Sequence, residues 1–307
     1  MRILVVGAGA TGGYFGGRLI QAGRDITFLL RPARAAAIAA KGLEILSPLG
    51  DAVLHPKIVT ADAIDGPYDA ILLTVKAFAL EAALEDIAPA VGPNTMIMPV
   101  LNGMRHVDAI IARFGAKALI GGVCKVATTI DDQGRIVQLN KMQDMSYGEM
   151  DGSASARTQA LHAALDGAGF PARLTSEIGR EMWEKWILLS TLGAITCSMR
   201  GNIGEVASAP GGEAFATGIL DEVLAIVHAA GIPPAPGYAE TVRAMITQKT
   251  STQSPSMYRD MSVGLPIEAD QIVGDLLARG QAKGLATPLL AIAYTHLAIY
   301  QARHAKA

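Results

Sequence analysis

Only two cysteines occur in the 307 residues, Cys124 and Cys197, and neither has a partner at C-x-x-C spacing. A disulfide framework or a metal site is therefore not expected, a reducing cytoplasm is permitted, and both thiols read as small buried hydrophobes. Concentrated positive charge is lacking as well. No basic cluster exceeds two residues and the net charge is −2, which argues against a nucleic-acid partner. Long apolar runs are missing too: the longest candidates, Ile187 to Cys197 and Pro288 to Tyr300, fall short of the roughly 20 residues that a spanning helix needs, so no membrane helix is expected. The apolar run after Met1-Arg2 is too short for a signal peptide. There is no internal repeat and no low-complexity linker. With half the residues hydrophobic and 18% charged, what remains is a soluble enzyme, expected in the cytoplasm and long enough for two ordinary domains.

What is present begins at the N-terminus. Ile3-Leu4-Val5-Val6 shows no polar alternation and reads as a parallel strand buried on both faces. It meets Gly7-Ala8-Gly9-Ala10-Thr11-Gly12, after which apolar residues recur at helical spacing until Gly23. Strand, glycine turn and helix in that order form a dinucleotide-binding fingerprint: Gly7 makes the turn, Gly9 lets backbone approach a pyrophosphate, and Gly12 lets helix and strand pack closely. The helix N-terminus then offers free N–H groups to the phosphates.

One further absence decides which dinucleotide. A fold binding NAD places Asp or Glu at the end of its second strand, about 20 residues past the fingerprint. Here Asp25 to Leu30 ends at Arg31, and no acid occurs from Ile26 to Ala40. A guanidinium grips a 2′-phosphate bidentately where a carboxylate would repel it, so the cofactor expected is NADP(H), held by Arg31 with Arg34 as a helper.

Further along, Tyr68 to Val75 and Thr95 to Leu101 read as buried strands that stop at Lys76 and Asn102, positions facing the crevice where open α/β sheets bind ligands. Taken alone, Lys76 also reads as a surface lysine capping a helix, and Asn102-Gly103 as a turn. The helix Ala77 to Ala90 separates them. Leu43 to Leu46 and Ala52 to Val59 read as strands. Ala118 to Ile130, Arg135 to Leu139 and Met145 to Glu149 read as an antiparallel extension on the sheet's edge, turning at Asp131 to Gly134. Ala156 to Ala168 is a helix and Ala172 to Leu174 a last short strand.

Beyond Ser176 the pattern is helical throughout: Glu177 to Ser198, Gly211 to Ala230, Pro236 to Lys249, Pro266 to Ala282 and Pro288 to Ala305. The expected organisation is thus an α/β Rossmann domain over 1–175 and an all-α substrate domain over 176–307, whose apolar helices leave a homodimer open. Lys185, between Trp183 and Trp186, precedes a long apolar run. Burial disfavours an ammonium, which is how a lysine becomes a proton donor, and reduction of a ketone needs a proton at the developing alkoxide. The same lysine also reads as one reaching out from the helix edge towards Glu181.

Taken together, GAGATG at residues 7–12, Arg31, Thr74-Val75-Lys76, Leu101-Asn102-Gly103, Trp183-Glu184-Lys185, and Pro255-Ser256-Met257 running on to Pro266-Ile267-Glu268-Ala269-Asp270 resemble the ketopantoate reductase family, over essentially the whole chain. The resemblance implies NADPH-dependent reduction of 2-dehydropantoate to pantoate on the route to coenzyme A. It implies Lys185 as the proton donor, Glu268 as the acid near the nicotinamide ribose, and Ser256 on the substrate carboxylate. Lys76 and Asn102 become groups near cofactor and substrate, and Ala127 a backbone contact to the nicotinamide. One departure stands out. The family carries asparagines four and eight residues after the lysine, where this chain has Leu189 and Gly193. Ser190, Thr191 and Thr196 lie on other parts of the helix and Asn202 in the loop beyond. The departure turns the expected substrate towards a less hydroxylated 2-oxo acid or ketone. Retention of Lys185 and Glu268 favours an enzyme over an NADPH-binding regulatory protein.

Overall fold

The computed structural model describes residues 1–304. It divides into two compact units, Met1–Leu101 with His106–Gly179, and Asn102–Arg105 with the chain from Arg180 onward. The first unit runs β1 (Arg2–Val6), α1 (Ala10–Gln21), β2 (Asp25–Leu29), α2 (Pro32–Lys41), β3 (Leu43–Leu46), β4 (Ala52–Leu54), β5 (Lys57–Val59), β6 (Ala70–Leu73), α3 (Leu80–Asp86), β7 (Met96–Pro99), α4 (Arg105–Phe114), β8 (Gly121–Ile130), β9 (Ile136–Gly148), α5 (Ala156–Leu165) and β10 (Ala172–Leu174).

The unbroken apolar runs of β1, β6 and β7 build the centre of an all-parallel sheet in the order β5-β2-β1-β6-β7. Such strands lack alternation because both faces are covered. Val6 lies opposite Leu29 and Leu73, and Leu73 opposite Pro99, so four strands end in one row. The chain leaves β1 towards β2 and returns on the other side at β6, which makes this row the switch point where doubly wound sheets bind ligands.

The antiparallel pair β8–β9 does not extend that sheet, contrary to the sequence reading. It belongs to a second five-stranded sheet, β10-β9-β3-β4 with β8 paired to β9. Helix α1 explains why two sheets form. Its Gly16 faces Phe28 and Val5 of the first sheet, while Gly13 and Gly17 face Ile136 and Ile45 of the second. Small residues on two sides let both sheets close on one helix, and Tyr14, Phe15 and Leu19 are fully buried there. Each such side chain contributes about 1.5–3 kcal/mol on burial. Residues 52–59 likewise do not form one strand: β4 pairs antiparallel with β3, whereas β5 pairs parallel with β2. Pro56 stands between them, where a missing N–H ends the first pairing.

The second unit contains α6 (Ile178–Met199), α7 (Ile203–Ser208), α8 (Gly212–Ala230), α9 (Tyr238–Ile246), α10 (Ser256–Ser262), a π-helical turn over Asp270–Gly274, α11 (Asp275–Ala282) and α12 (Pro288–His304). Among its described residues there is no strand. Asn202 and Glu205 cap α7 reciprocally, a local signal for its start. Cys197, buried in α6, has its thiol pushed up to about 12 by desolvation, and Cys124 is buried in β8. Both behave as small apolar residues. Among the described helices, none is long and apolar enough to cross a membrane.

Candidate active site

In the first unit, the fingerprint has the geometry that its spacing requires. Gly7 adopts φ +93° at the end of β1, a conformation that favours glycine. A Cβ on Gly12 would overlap Thr74 Oγ1 and the Gly7 carbonyl oxygen. Thr74 cannot easily yield, because its hydroxyl donates to the Val6 carbonyl at 2.8 Å. Gly9 is the opposite case: beyond its own chain neighbours, no atom lies within 4 Å of the position its Cβ would take. Gly9 also caps α1 without a side-chain hydrogen bond, so no capping side chain takes up the first-turn N–H groups of Ala10, Thr11 and Gly12. This cradle, which a Cβ would fill, fits a dinucleotide pyrophosphate.

These two glycines separate packing from binding. Gly12→Ala is expected to destabilise the fold by about 1–3 kcal/mol through overpacking, read as a lower melting temperature. Gly9→Ala is expected to leave the melting temperature unchanged and to weaken NADPH binding at least tenfold, read by quenching of protein fluorescence.

Arg31 is exposed directly after β2, and Pro32 starts α2 behind it. Arg34 is half-buried and differently engaged. Its Nη2 donates to the carbonyls of Ala8, at 3.2 Å, and Gly134, at 3.1 Å, which fastens the β8–β9 turn to the fingerprint loop. Burial lowers its pKa without threatening its charge. Lys76 is exposed just beyond β6. Ala127 falls where the β8–β9 register slips between Val126 and Thr128. Its backbone is therefore outside the regular ladder, as at bulges beside ligand sites.

In the second unit, two expected site residues meet. Asn102 Nδ2 donates to Glu268 Oε2 at 3.3 Å, and Glu268 is buried. Gly103, at φ +76°, presses against Gln271, whose carbonyl a Cβ would strike. Gln271 is 4% exposed and its Nε2 has no partner among the described residues. Glu268 and Gln271 flank the start of the π-helical turn, a rare conformation that concentrates at functional sites. Sequence reasoning missed Gln271, since nothing in composition distinguishes a π turn from an α turn.

Lys185 lies on α6 and is half-buried. Trp183 and Trp186 are buried against each other with ring centroids 5.1 Å apart. Neighbours one and two residues away leave a helix in other directions, so they cannot wrap the lysine. They anchor it instead. Trp186 Nε1 donates to the Ile272 carbonyl at 2.8 Å. On the other side, Glu184 Oε1 accepts from the Ala235 N–H at 2.8 Å, and the Tyr238 hydroxyl donates to the Glu184 carbonyl at 2.6 Å. Burial raises the Tyr238 pKa, so its phenol stays a donor. Lys185 itself makes no ion pair among the described residues, with Glu181 or any other acid.

Ser256 opens α10, half-buried, and the next residue, Met257, packs onto α6. A Cβ at Gly193 would overlap Met257 Cε. Leu189 is half-buried one turn nearer to Lys185.

Two family models match the chain, "Ketopantoate reductase PanE/ApbA" over residues 3–152 and its C-terminal counterpart over residues 177–301. An uncharacterized oxidoreductase, YkpB, of Bacillus subtilis is 30% identical over 302 residues, 98% of this chain and 99% of that one. A 2-dehydropantoate 2-reductase of Mesorhizobium japonicum is 29% identical over 94% of each chain. The crystal structure of 2-dehydropantoate 2-reductase from Geobacter metallireducens GS-15 superposes with a TM-score of 0.87 at 31% identity, covering 97% of this chain and 99% of that one. With a Rossmann-type first unit and a helical second unit, the chain belongs to the ketopantoate reductase family and is an oxidoreductase that works with a nicotinamide dinucleotide.

Proposed function

We propose that the chain reduces the carbonyl of a 2-oxo acid to a hydroxyl with NADPH, with 2-dehydropantoate, named for the relatives, as the reference substrate. Bound NADPH supplies the hydride that the carbonyl carbon receives. Lys185 gives the proton to the carbonyl oxygen, and its charge stabilises the oxygen as negative charge develops. The observation that carries this reading is the double anchoring of α6 at Glu184 and Trp186, on either side of Lys185. A proton donor fixed on a packed helix meets the geometric demand of proton transfer. In the same reading Ser256 and Lys76 hold the substrate carboxylate, Asn102 the substrate or the nicotinamide carboxamide, and Glu268 the ribose. Residues Gly7 to Gly12 hold the pyrophosphate, Arg31 the 2′-phosphate, and the Ala127 backbone the nicotinamide. With 2-dehydropantoate as the substrate, the product is pantoate, on the route to coenzyme A in the cytoplasm.

The test is NADPH consumption by the purified full chain with 2-oxo acids and with matched ketones that lack the carboxylate. Turnover is expected with the acids alone. Equal turnover of ketones removes the carboxylate contacts from the reading, and turnover of neither removes the reading itself.

A further inference from the structure

The face of α6 that carries Lys185 continues through the residues four and eight further on, which stack over that position. Those residues are Leu189 and Gly193. Gly193 is not an open notch, since the Met257 thioether methyl lies over it, and Met257 is 3% exposed. The face beyond Lys185 is therefore an isobutyl group followed by a methionine.

The nearby hydroxyls are bonded to their own helix or, at Thr191, buried away from this face without a partner among the described residues. Ser190 Oγ donates to the Trp186 carbonyl at 2.7 Å, and Thr196 Oγ1 to the Leu192 carbonyl at 2.7 Å; both return to their own helix backbone, and both side chains are fully buried. Thr191 lies six residues beyond Lys185, near the opposite side of the helix. Asn202 Oδ1 accepts from the Glu205 N–H at 2.9 Å as the cap of α7. A substrate hydroxyl laid against Leu189 and the Met257 thioether would lose its water and gain no hydrogen bond from either side chain, which is unfavourable.

We propose, resting on the reading of Lys185 as proton donor to a 2-oxo acid, that the substrates are 2-oxo acids with an unsubstituted branched aliphatic side chain of about four carbons, and that Met257 sets this preference. The reaction is unchanged: hydride reaches the carbonyl carbon, a proton reaches its oxygen, and a 2-hydroxy acid and NADP⁺ are formed.

The decisive pair is 3,3-dimethyl-2-oxobutanoate and 2-dehydropantoate, which differ by one terminal hydroxyl. With the full chain and NADPH, kcat/KM for the deoxy acid is expected to exceed that for 2-dehydropantoate about 10- to 100-fold, the range in which apolar pockets discriminate against an added hydroxyl. A ratio below tenfold overturns the inference while leaving carbonyl reduction intact. No turnover of either acid overturns both. The double variant Gly193→Asn, Met257→Ala puts an amide into the volume that the thioether leaves. It is expected to move the ratio at least tenfold towards 2-dehydropantoate. If that variant folds and the ratio does not move, Met257 is not the determinant; if it fails to fold, the wild-type ratio alone decides.

Discussion

Replacing Lys185 by alanine is expected to lower kcat roughly 10²- to 10⁴-fold, the usual contribution of a positioned general acid, while leaving NADPH affinity within about twofold by the fluorescence assay. The split matters because the fingerprint, Arg31 and Lys76 lie in the first unit and Lys185 in the second. Loss of a proton donor raises the barrier to the chemical step and leaves ground-state cofactor binding alone. Lys185→Arg sharpens the test. It keeps a positive charge but cannot give up its proton near neutral pH, so it is expected to recover only the electrostatic part and to stay impaired. If Lys185→Ala keeps turnover within threefold, or loses NADPH affinity in proportion, the proton-donor role is wrong.

How far these features were legible in the sequence depended on the range of the interaction that fixes them. Ile3 to Val6 and Ala70 to Leu73 announce buried parallel strands because burial on both faces leaves no polar alternation. The glycine turn announces itself because Gly7 and Gly12 answer steric demands within one strand–turn–helix unit. Pairing partners are another matter. Residues 136–148 read as two strands with polar residues between them, yet β9 runs through and pairs with β3, β8 and β10. The second sheet exists because α1 carries glycines on two sides, a demand that strand patterns do not reveal. Helix α4 went unread because Arg105, His106 and Asp108 dilute its first turn, and α7 and α10 because each spans fewer than two full turns.

The site follows the same rule. Asn102, Lys185, Ser256 and Glu268 carried little signal as isolated residues and gained meaning from the family resemblance. The Asn102–Glu268 hydrogen bond joins residues 166 positions apart, beyond any periodic pattern. Met257 over Gly193 was invisible for a related reason. The sequence shows that a side chain is missing at Gly193, but only packing shows which other side chain takes its volume.

Arg31→Ala is expected to raise the Kd for NADPH about 10- to 150-fold, the equivalent of the roughly 1.5–3 kcal/mol that hydrogen bonds to a charged group contribute, and to change the Kd for NADH less than twofold. Arg31 stands exposed at the end of β2, beside the row of strand ends where an adenosine ribose lies in doubly wound folds, so what it adds depends on the 2′-phosphate alone. Arg34 provides the contrast. Its Nη2 already holds the Ala8 and Gly134 carbonyls, one in the fingerprint loop and one in the β8–β9 turn. Arg34→Ala is therefore expected to weaken both cofactors by the same factor, because it loosens a loop that both use. Equal losses of NADPH and NADH affinity in Arg31→Ala would remove the phosphate contact from Arg31. Selective loss of NADPH in Arg34→Ala would transfer the contact to Arg34, since a guanidinium that bonds two carbonyls through one nitrogen keeps its other N–H donors for a phosphate.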